Sequence, residues 1–237
     1  MYFFVQNFEP ILTNELISAE DSSHLISLRP KIGEIINLTD FRGNLLTSEI
    51  VFLNKKESTI KIKILQQKFC SSKEYYQKTF HKQRGVLFQA TLTKEYMEKM
   101  FEILPHSGFQ KVVFFESEFS QKTTKDINNH IDRLHKILQR AGEQSQSLYL
   151  PQIEFVTVEQ ALEKIKLLKP SVLCCLDNLA KSGSKDKVSD LDINTNYIIG
   201  PEGGWSASEL FQFQTLGLRF SSLGRIVYSS WLMSVVI

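Results

Sequence analysis

Two short segments in the last third of the chain, "SVLCCLD" (171–177) and "NYIIG" (196–200), are almost wholly apolar. A strand with one face in water alternates polar and apolar residues, whereas a strand covered on both faces has no polar side to show. Both segments therefore read as strands sandwiched between layers. From about residue 75, further strand segments ("VLFQA", "KVVFFES", "QIEFVT" and "RFSS") alternate with stretches of helical periodicity. The helices fall at 94–104, 126–143, 158–168, 208–216 and from about 226. The second of these carries Ile127, Ile131, Leu134, Ile137 and Leu138 on one stripe. Strands alternating with helices at this spacing predict an α/β fold built on a parallel sheet.

The first 70 residues follow another rhythm. "YFFV", "EIINL", "RGNLLTSEIVFL" and "KESTIKIKIL" are strand-like, with turn residues between them, and Lys61 and Lys63 alternate with isoleucines. Several short strands of this kind predict a small β-barrel or sandwich, with a short helix near "SSHLISL" capped by Ser22 or Ser23. The expected domains are 1–72 and 73–237. The polar stretch "AKSGSKDKVSDLDIN" reads as an exposed loop of the second domain.

Composition excludes several classes. With 42% apolar and 23% charged residues in 237, the chain has an ordinary soluble balance and room for a substantial core. No apolar run reaches the roughly 20 residues of a membrane span. "MYFFVQNFEP" lacks the basic start of a secretion signal, so a cytoplasmic protein is expected. Cys70, Cys174 and Cys175 form neither a disulfide framework nor a zinc pattern, and no His/Asp/Glu spacing suggests a metal. A net charge of +2 announces no nucleic-acid partner. Locally, "QKTFHKQR" groups Lys78, His81, Lys82 and Arg84, with Lys73 upstream; such a cluster meets phosphates or is simply a solvated face.

The turn after "NYIIG" carries the chemistry. Ser206 and Glu209 fit the Ser-x-x-Glu capping box, so a helix starts just past Trp205 and 200–204 form a strand-to-helix loop. Such loops lie at the carboxyl edge of an open sheet, where ligands bind. A phosphate loop is ruled out because no Gly-Lys-Ser/Thr follows, and the spacing excludes the dinucleotide fingerprint. Glu202 stands where a phosphate would be repelled. Two readings remain, a loop for a neutral or cationic ligand and a tight turn in which glycines serve geometry alone. A second strand–loop–helix junction follows at Leu223 and Gly224, and a third at Leu176, Asp177 and Asn178, so three loops can converge on one ligand.

"IIGPEGGWSASEL", followed by the later "LG", resembles the RsmE family of 16S ribosomal RNA uridine-N3 methyltransferases, in the SPOUT superfamily. "HLISLRPKIGEIINLTDFRGN" is similar to a second family segment through His24, Leu28, Arg29, Gly33, Asp40 and Gly43. "RAGEQSQSLYLPQI" is similar to a third through Ala141, Glu143, Gln144, Ser145 and Pro151. The resemblance implies a PUA-like β-barrel followed by a trefoil-knotted α/β domain, an exception to the unknotted rule. It implies S-adenosylmethionine held by main-chain groups around Leu176, Ile199, Gly200, Pro201, Glu202, Gly203, Gly204, Leu223, Gly224 and Ile226. It also implies a homodimer acting on 16S rRNA in the small ribosomal subunit, with RNA contacts expected at Arg29, Lys78, Lys82 and Arg84. The methyl group would pass in line to uracil N3, which must lose its proton to a base or polarising group.

The chain departs from the family after the last loop. The family runs Leu-Gly-x-Arg-Ile-Leu-Arg-x-Glu-Thr-Ala; here "LGRIVYSSWLM" keeps Arg225 and Ile226 with a one-residue deletion. Tyr228 and Ser230 then stand for the second arginine and the glutamate; without the deletion these are Ser229 and Trp231. Ile103, His106 and Ser147 likewise replace charged family residues. The candidates for the catalytic group are Arg225, Tyr228 and Ser230. An alternative is a non-catalytic RNA-binding relative that keeps barrel and knot. His24 is expected to fix a turn, and His81, His130 and His135 to lie on the surface.

Overall fold

The computed structural model describes residues 2–6, 8–14, 16–17, 25–57, 59–80, 84–121, 123, 126–127, 129–168, 171–174, 195–221 and 228–237. The chain divides into two compact units, Met1–Thr79 with Gln139–Leu150, and Phe80–Leu138 with Pro151–Ile237. This division differs from a single boundary at 72/73, because a mid-chain segment joins the first unit.

In the first unit, β1 (Tyr2–Phe4), α1 (Glu9–Asn14), β2 (Leu16–Ile17), β3 (Ile35–Thr39), β4 (Asn44–Asn54) and β5 (Thr59–Phe69) precede α2 (Ser72–Thr79). The sheet order is β1-β3-β4-β5-β2, parallel at β1-β3 and antiparallel elsewhere. The alternation in β5 works as its sequence suggests: Ile60 and Ile62 are fully buried while Lys61 and Lys63 are exposed. Ile36, Leu38, Leu46 and Ile50 complete that core with Val5 and Ile11. The turn between β3 and β4 is built on Asp40, whose Oδ1 accepts the Arg42 and Asn44 N–H groups and whose Oδ2 accepts from the Asn44 side chain. Local hydrogen bonding of this kind is what Asp supplies in turns.

The mid-chain segment enters through specific contacts. Gly43, at φ +97°, donates its N–H to the Leu148 carbonyl, and the Tyr149 hydroxyl donates to the Cys70 carbonyl at 2.9 Å. A side chain at Gly43 would collide with both Tyr149 and Cys70. Buried Glu143 accepts the Phe4 N–H at 2.9 Å. The helix Ser72–Thr79, which the strand and helix pattern does not announce, buries Tyr75 and Tyr76 against Tyr149.

In the second unit, β6 (Arg84–Ala90), α3 (Lys94–Ile103), a 3-10 turn (Leu104–His106), β7 (Phe109–Phe115), α4 (Ile131–Ser145), β8 (Gln152–Val156), α5 (Val158–Leu167), β9 (Ser171–Cys174), β10 (Asn196–Ile199), α6 (Ala207–Thr215), β11 (Arg219–Ser221), a second 3-10 turn (Ser230–Leu232) and α7 (Met233–Val236) follow in order. The last turns of α4 belong to the first unit. All described strands of this sheet are parallel, in the order β11-β9-β10-β6-β7-β8. Phe88, Val113, Phe115 and Ile198 pack with Ala161 and Ile165 of α5 and Phe213 of α6. Elsewhere on the sheet Phe114 stacks on Phe101 of α3 at 5.6 Å. Each fully buried Phe, Val or Ile of this set contributes about 1.5–3 kcal/mol. Among the described residues no helix is long and apolar enough to cross a membrane.

Neighbouring strands β6 and β10 are followed by connections that leave in opposite directions, to β7 on one side and to β11 on the other. Open parallel sheets bind ligands at such a switch point, beyond the carboxyl ends of the strands.

Candidate functional site

The carboxyl ends of β6 and β10 meet in register, with Gln89 opposite Ile199. Past Ile199 the chain enters the glycine-rich turn. Gly200 and Pro201 are buried, Glu202 and Gly203 exposed, and Gly204 closes the turn by donating its N–H to the Pro201 carbonyl at 3.0 Å. The helix then starts as expected: Ser206 Oγ accepts the Glu209 N–H and Glu209 Oε2 accepts the Ser206 N–H, a complete capping box.

The glycines have distinct reasons. A Cβ on Gly200 would stand 3.0–3.4 Å from the Trp205 ring, which folds back over it and packs on Phe115 and Phe213. A Cβ on Gly203 would lie 3.0 Å from Phe119 Cβ. Gly204 has φ +74° and open space where a side chain would go. Gly200 and Gly203 thus serve close packing, and Gly204 serves the left-handed backbone.

Three described loops converge here, those after β6, β7 and β10. Glu202 Oε1 accepts the Thr93 N–H at 2.9 Å, so this carboxylate ties the turn to the loop after β6. Glu209 Oε1 accepts the Glu118 N–H at 3.0 Å, and Ser208 donates to Glu118 Oε2. Ser120 Oγ donates to the Thr91 carbonyl. Sequence patterning missed Thr93, Glu118, Phe119 and Ser120, because none belongs to a motif; their only signal is position just beyond a strand. The two other loops expected to converge, with Leu176, Leu223, Gly224, Arg225 and Ile226, lie outside the described residues.

Ser230 is brought to the turn. Its hydroxyl donates to the Gly200 carbonyl, and the Gln89 amide Nε2 lies 3.2 Å from Ser230 Oγ and 3.2 Å from the same carbonyl. Tyr228 is half-buried just upstream. His106 is exposed at the end of its 3-10 turn. The described residues of these loops include Glu116, Glu118 and Glu202; Lys122 and Lys125, in the loop after β7, lie outside the described residues. The carboxylates beside the 200–204 turn favour a cationic or neutral group there.

The basic cluster is divided between the two units. Lys78, in the first unit, is exposed and pairs with Glu74 at 2.6 Å; Arg29, in the same unit, is exposed at φ +54°. Arg84, in the second, donates Nη1–H to the Ser234 carbonyl at 2.7 Å and lies over the Phe109 ring, 5.2 Å from its centroid. Burial pulls its guanidinium below the ordinary range, with Tyr197 opposing. The described contacts of Arg84 are internal. Lys82 and His24 lie outside the described residues.

A family model described as an RNA methyltransferase domain matches residues 80–227. A ribosomal RNA small subunit methyltransferase E of Helicobacter pylori is 28% identical over 211 residues, covering 87% of this chain and 83% of that one. The protein of that name from Mesomycoplasma hyopneumoniae is 25% identical over 63% of this chain, which spans 65% of that relative's length. The structure of a ribosomal RNA small subunit methyltransferase E from Neisseria gonorrhoeae, bound to S-adenosyl methionine, superposes with TM-score 0.78 at 17% identity, covering 99% of this chain and 93% of that one.

Proposed function

The chain belongs to the RNA methyltransferase domain family, and from that premise we propose that it is an RsmE-type enzyme that methylates N3 of a uridine in 16S ribosomal RNA with S-adenosylmethionine. The observation that carries this reading is the turn 200–204, set at the switch point between β6 and β10 within the matched residues. We further assign a trefoil-knotted second domain, a PUA-like first domain, a homodimer and the small ribosomal subunit as substrate, on the strength of the resemblance.

The donor set fits the cofactor. Main-chain groups of a glycine turn hold a ligand without a charged anchor, and carboxylates at Glu116, Glu118 and Glu202 favour positive charge over phosphate. When bound, S-adenosylmethionine supplies an electrophilic methyl group on a sulfonium. This chain's residues then have three tasks. The turn at 200–204 with Ile199 would hold the cofactor, together with Leu176, Leu223, Gly224 and Ile226, which lie outside the described residues. Arg29, Lys78 and Lys82 steer the RNA phosphates. The reacting base is held in line, which supplies much of the rate enhancement. The N3 proton needs a polarising or accepting group. Arg225 as a cation can polarise but not accept the proton, Ser230 already donates its hydroxyl to Gly200, and Tyr228 is the third candidate for this task.

Two measurements test this. Calorimetry with S-adenosylmethionine is expected to show binding; no heat at millimolar ligand rejects the cofactor assignment. Base analysis of ribosomal RNA from a deletion strain is expected to show loss of an N3-methyluridine peak, and an unchanged peak rejects the substrate.

A further inference from the structure

Gln89 is the one polar residue in the apolar strand segment "VLFQA", and it is 0% exposed. A long amide buried so completely is costly unless both of its ends find partners. The nitrogen end does. Nε2 donates to the Ala90 carbonyl at 3.0 Å and to the Gly200 carbonyl at 3.2 Å, and it lies 3.2 Å from Ser230 Oγ. The orientation of the amide is set by these neighbours. Two carbonyls accept only, so exchanging the two ends would place oxygen against oxygen. The oxygen end is therefore fixed as well, and among the described residues no donor meets Oε1. This unmet acceptor stands at the carboxyl end of β6, at the switch point and one hydrogen bond away from the glycine turn.

Buried polar atoms without partners are few in native proteins, and each calls for an explanation such as a catalytic role or a bound water or ion. We propose that Gln89 is a ligand-contact residue whose Oε1 accepts an N–H or O–H from the molecule bound at the 200–204 turn. The inference rests on the methyltransferase reading above and extends it to a residue outside the expected cofactor loops. Gln89 is neutral and moves no proton. It selects, because a ligand that presents a donor satisfies Oε1, whereas one that presents an acceptor or a methyl group leaves it unmet. Two molecules of the reaction carry suitable donors. The cofactor has its amino, ammonium and ribose hydroxyl groups. Uridine has N3–H, which the methylated product no longer has.

The test uses the full chain labelled with nitrogen-15. The Gln89 side-chain amide signals, assigned through bonds, are followed during separate titrations with S-adenosylhomocysteine, 5′-methylthioadenosine and uridine. A shift with both adenosine compounds assigns the donor to the nucleoside part of the cofactor, and a shift with S-adenosylhomocysteine alone assigns it to the amino-acid part. A shift with uridine but not with N3-methyluridine assigns it to the base. Each supports the inference. If S-adenosylhomocysteine moves the amides of 200–204 while no titration moves Gln89, the inference is overturned and the cofactor reading stands. If S-adenosylhomocysteine moves nothing and gives no heat, the cofactor reading falls and the inference with it.

A variant gives an independent readout. Gln89→Met is expected to weaken S-adenosylhomocysteine binding about tenfold or more if the cofactor is the donor. The ligand-free melting midpoint reflects two opposed changes, loss of an unmet buried acceptor and loss of the Nε2 donor to the Ala90 and Gly200 carbonyls. A lowered midpoint with unchanged affinity for all three probes would mark Gln89 as a strut under Gly200 and refute the inference. Should the variant fail to fold, the titrations of the unaltered chain still decide.

Discussion

Two helices of the parallel-sheet unit begin with the same device after very different approaches. Helix α5 follows β8 directly: Val156 ends the strand and Thr157 is already the cap, closing a box with Gln160 in which both residues are exposed. Helix α6 follows β10 only after residues 200–205, and its box, Ser206 with Glu209, is buried. A strand can therefore hand over to a capped helix without any glycine. The longer approach at β10 answers a different requirement. It carries the chain out over the switch point, folds Trp205 back on Gly200, and spends Glu202 and Glu209 on neighbouring loops.

The sharpest way to break the comparison is Glu209→Ala. The buried carboxylate accepts the N–H groups of Ser206 and Glu118, so its loss strands two donors and is expected to cost about 3 kcal/mol in urea unfolding. Gln160→Ala at the exposed box is expected to cost about 1 kcal/mol or less. Equal losses would show that burial of the second box is incidental.

Gly203→Val comes next. Its Cβ would press on Phe119, with an expected loss of about 1–3 kcal/mol from overpacking. Affinity for S-adenosylmethionine should fall with it, as read by calorimetry, while Thr157→Ala leaves that affinity unchanged. The two cap substitutions themselves, Ser206→Ala and Thr157→Ala, are each expected to cost about 1 kcal/mol. A much larger loss at Ser206 would mean that the cap supports the turn as well as the helix.

The smallest effect distinguishes the two junctions by pH. Glu154 on β8 meets Lys111 at 2.7 Å and Lys164 of α5 at 3.0 Å. Hydrogen bonds from Lys111 and then Lys164 hold its carboxyl below the ordinary range, against the opposing effect of burial. A carboxylate depressed in the folded state contributes stability above its unfolded value, about pH 4.3, and loses it as pH falls through the lower folded value. Glu154→Gln should flatten that acid-side slope and cost at most about 1 kcal/mol at neutral pH. An unchanged slope in the variant would assign the acid sensitivity elsewhere.

What was legible in the sequence is what local rules write. Ser206 and Glu209 announced their box, and Ile60 and Ile62 announced a half-buried strand, because capping and pleating act over two to four residues. Gly200 was legible as a glycine but not for its reason, since the Trp205 ring that excludes a side chain arrives only by folding back. Gln89 gave a faint signal, one amide in an apolar strand, whose meaning depends on Gly200 and Ser230 far along the chain. The join of 139–150 to the first unit was not legible at all. It rests on Tyr149 meeting Cys70 and Glu143 meeting Phe4, pairings that no periodicity encodes.

That join has a consequence for how the molecule is made. The sheet of the first unit is synthesised before Phe80–Leu138, yet the unit's remaining segment, Gln139–Leu150, emerges only after it. Until then the place of Tyr149 beside Gly43 is empty and the Phe4 amide lacks Glu143. Domains usually finish in the order they are translated. Here the first unit waits for a segment from the middle of the chain, so neither unit can be completed as an uninterrupted stretch of translation.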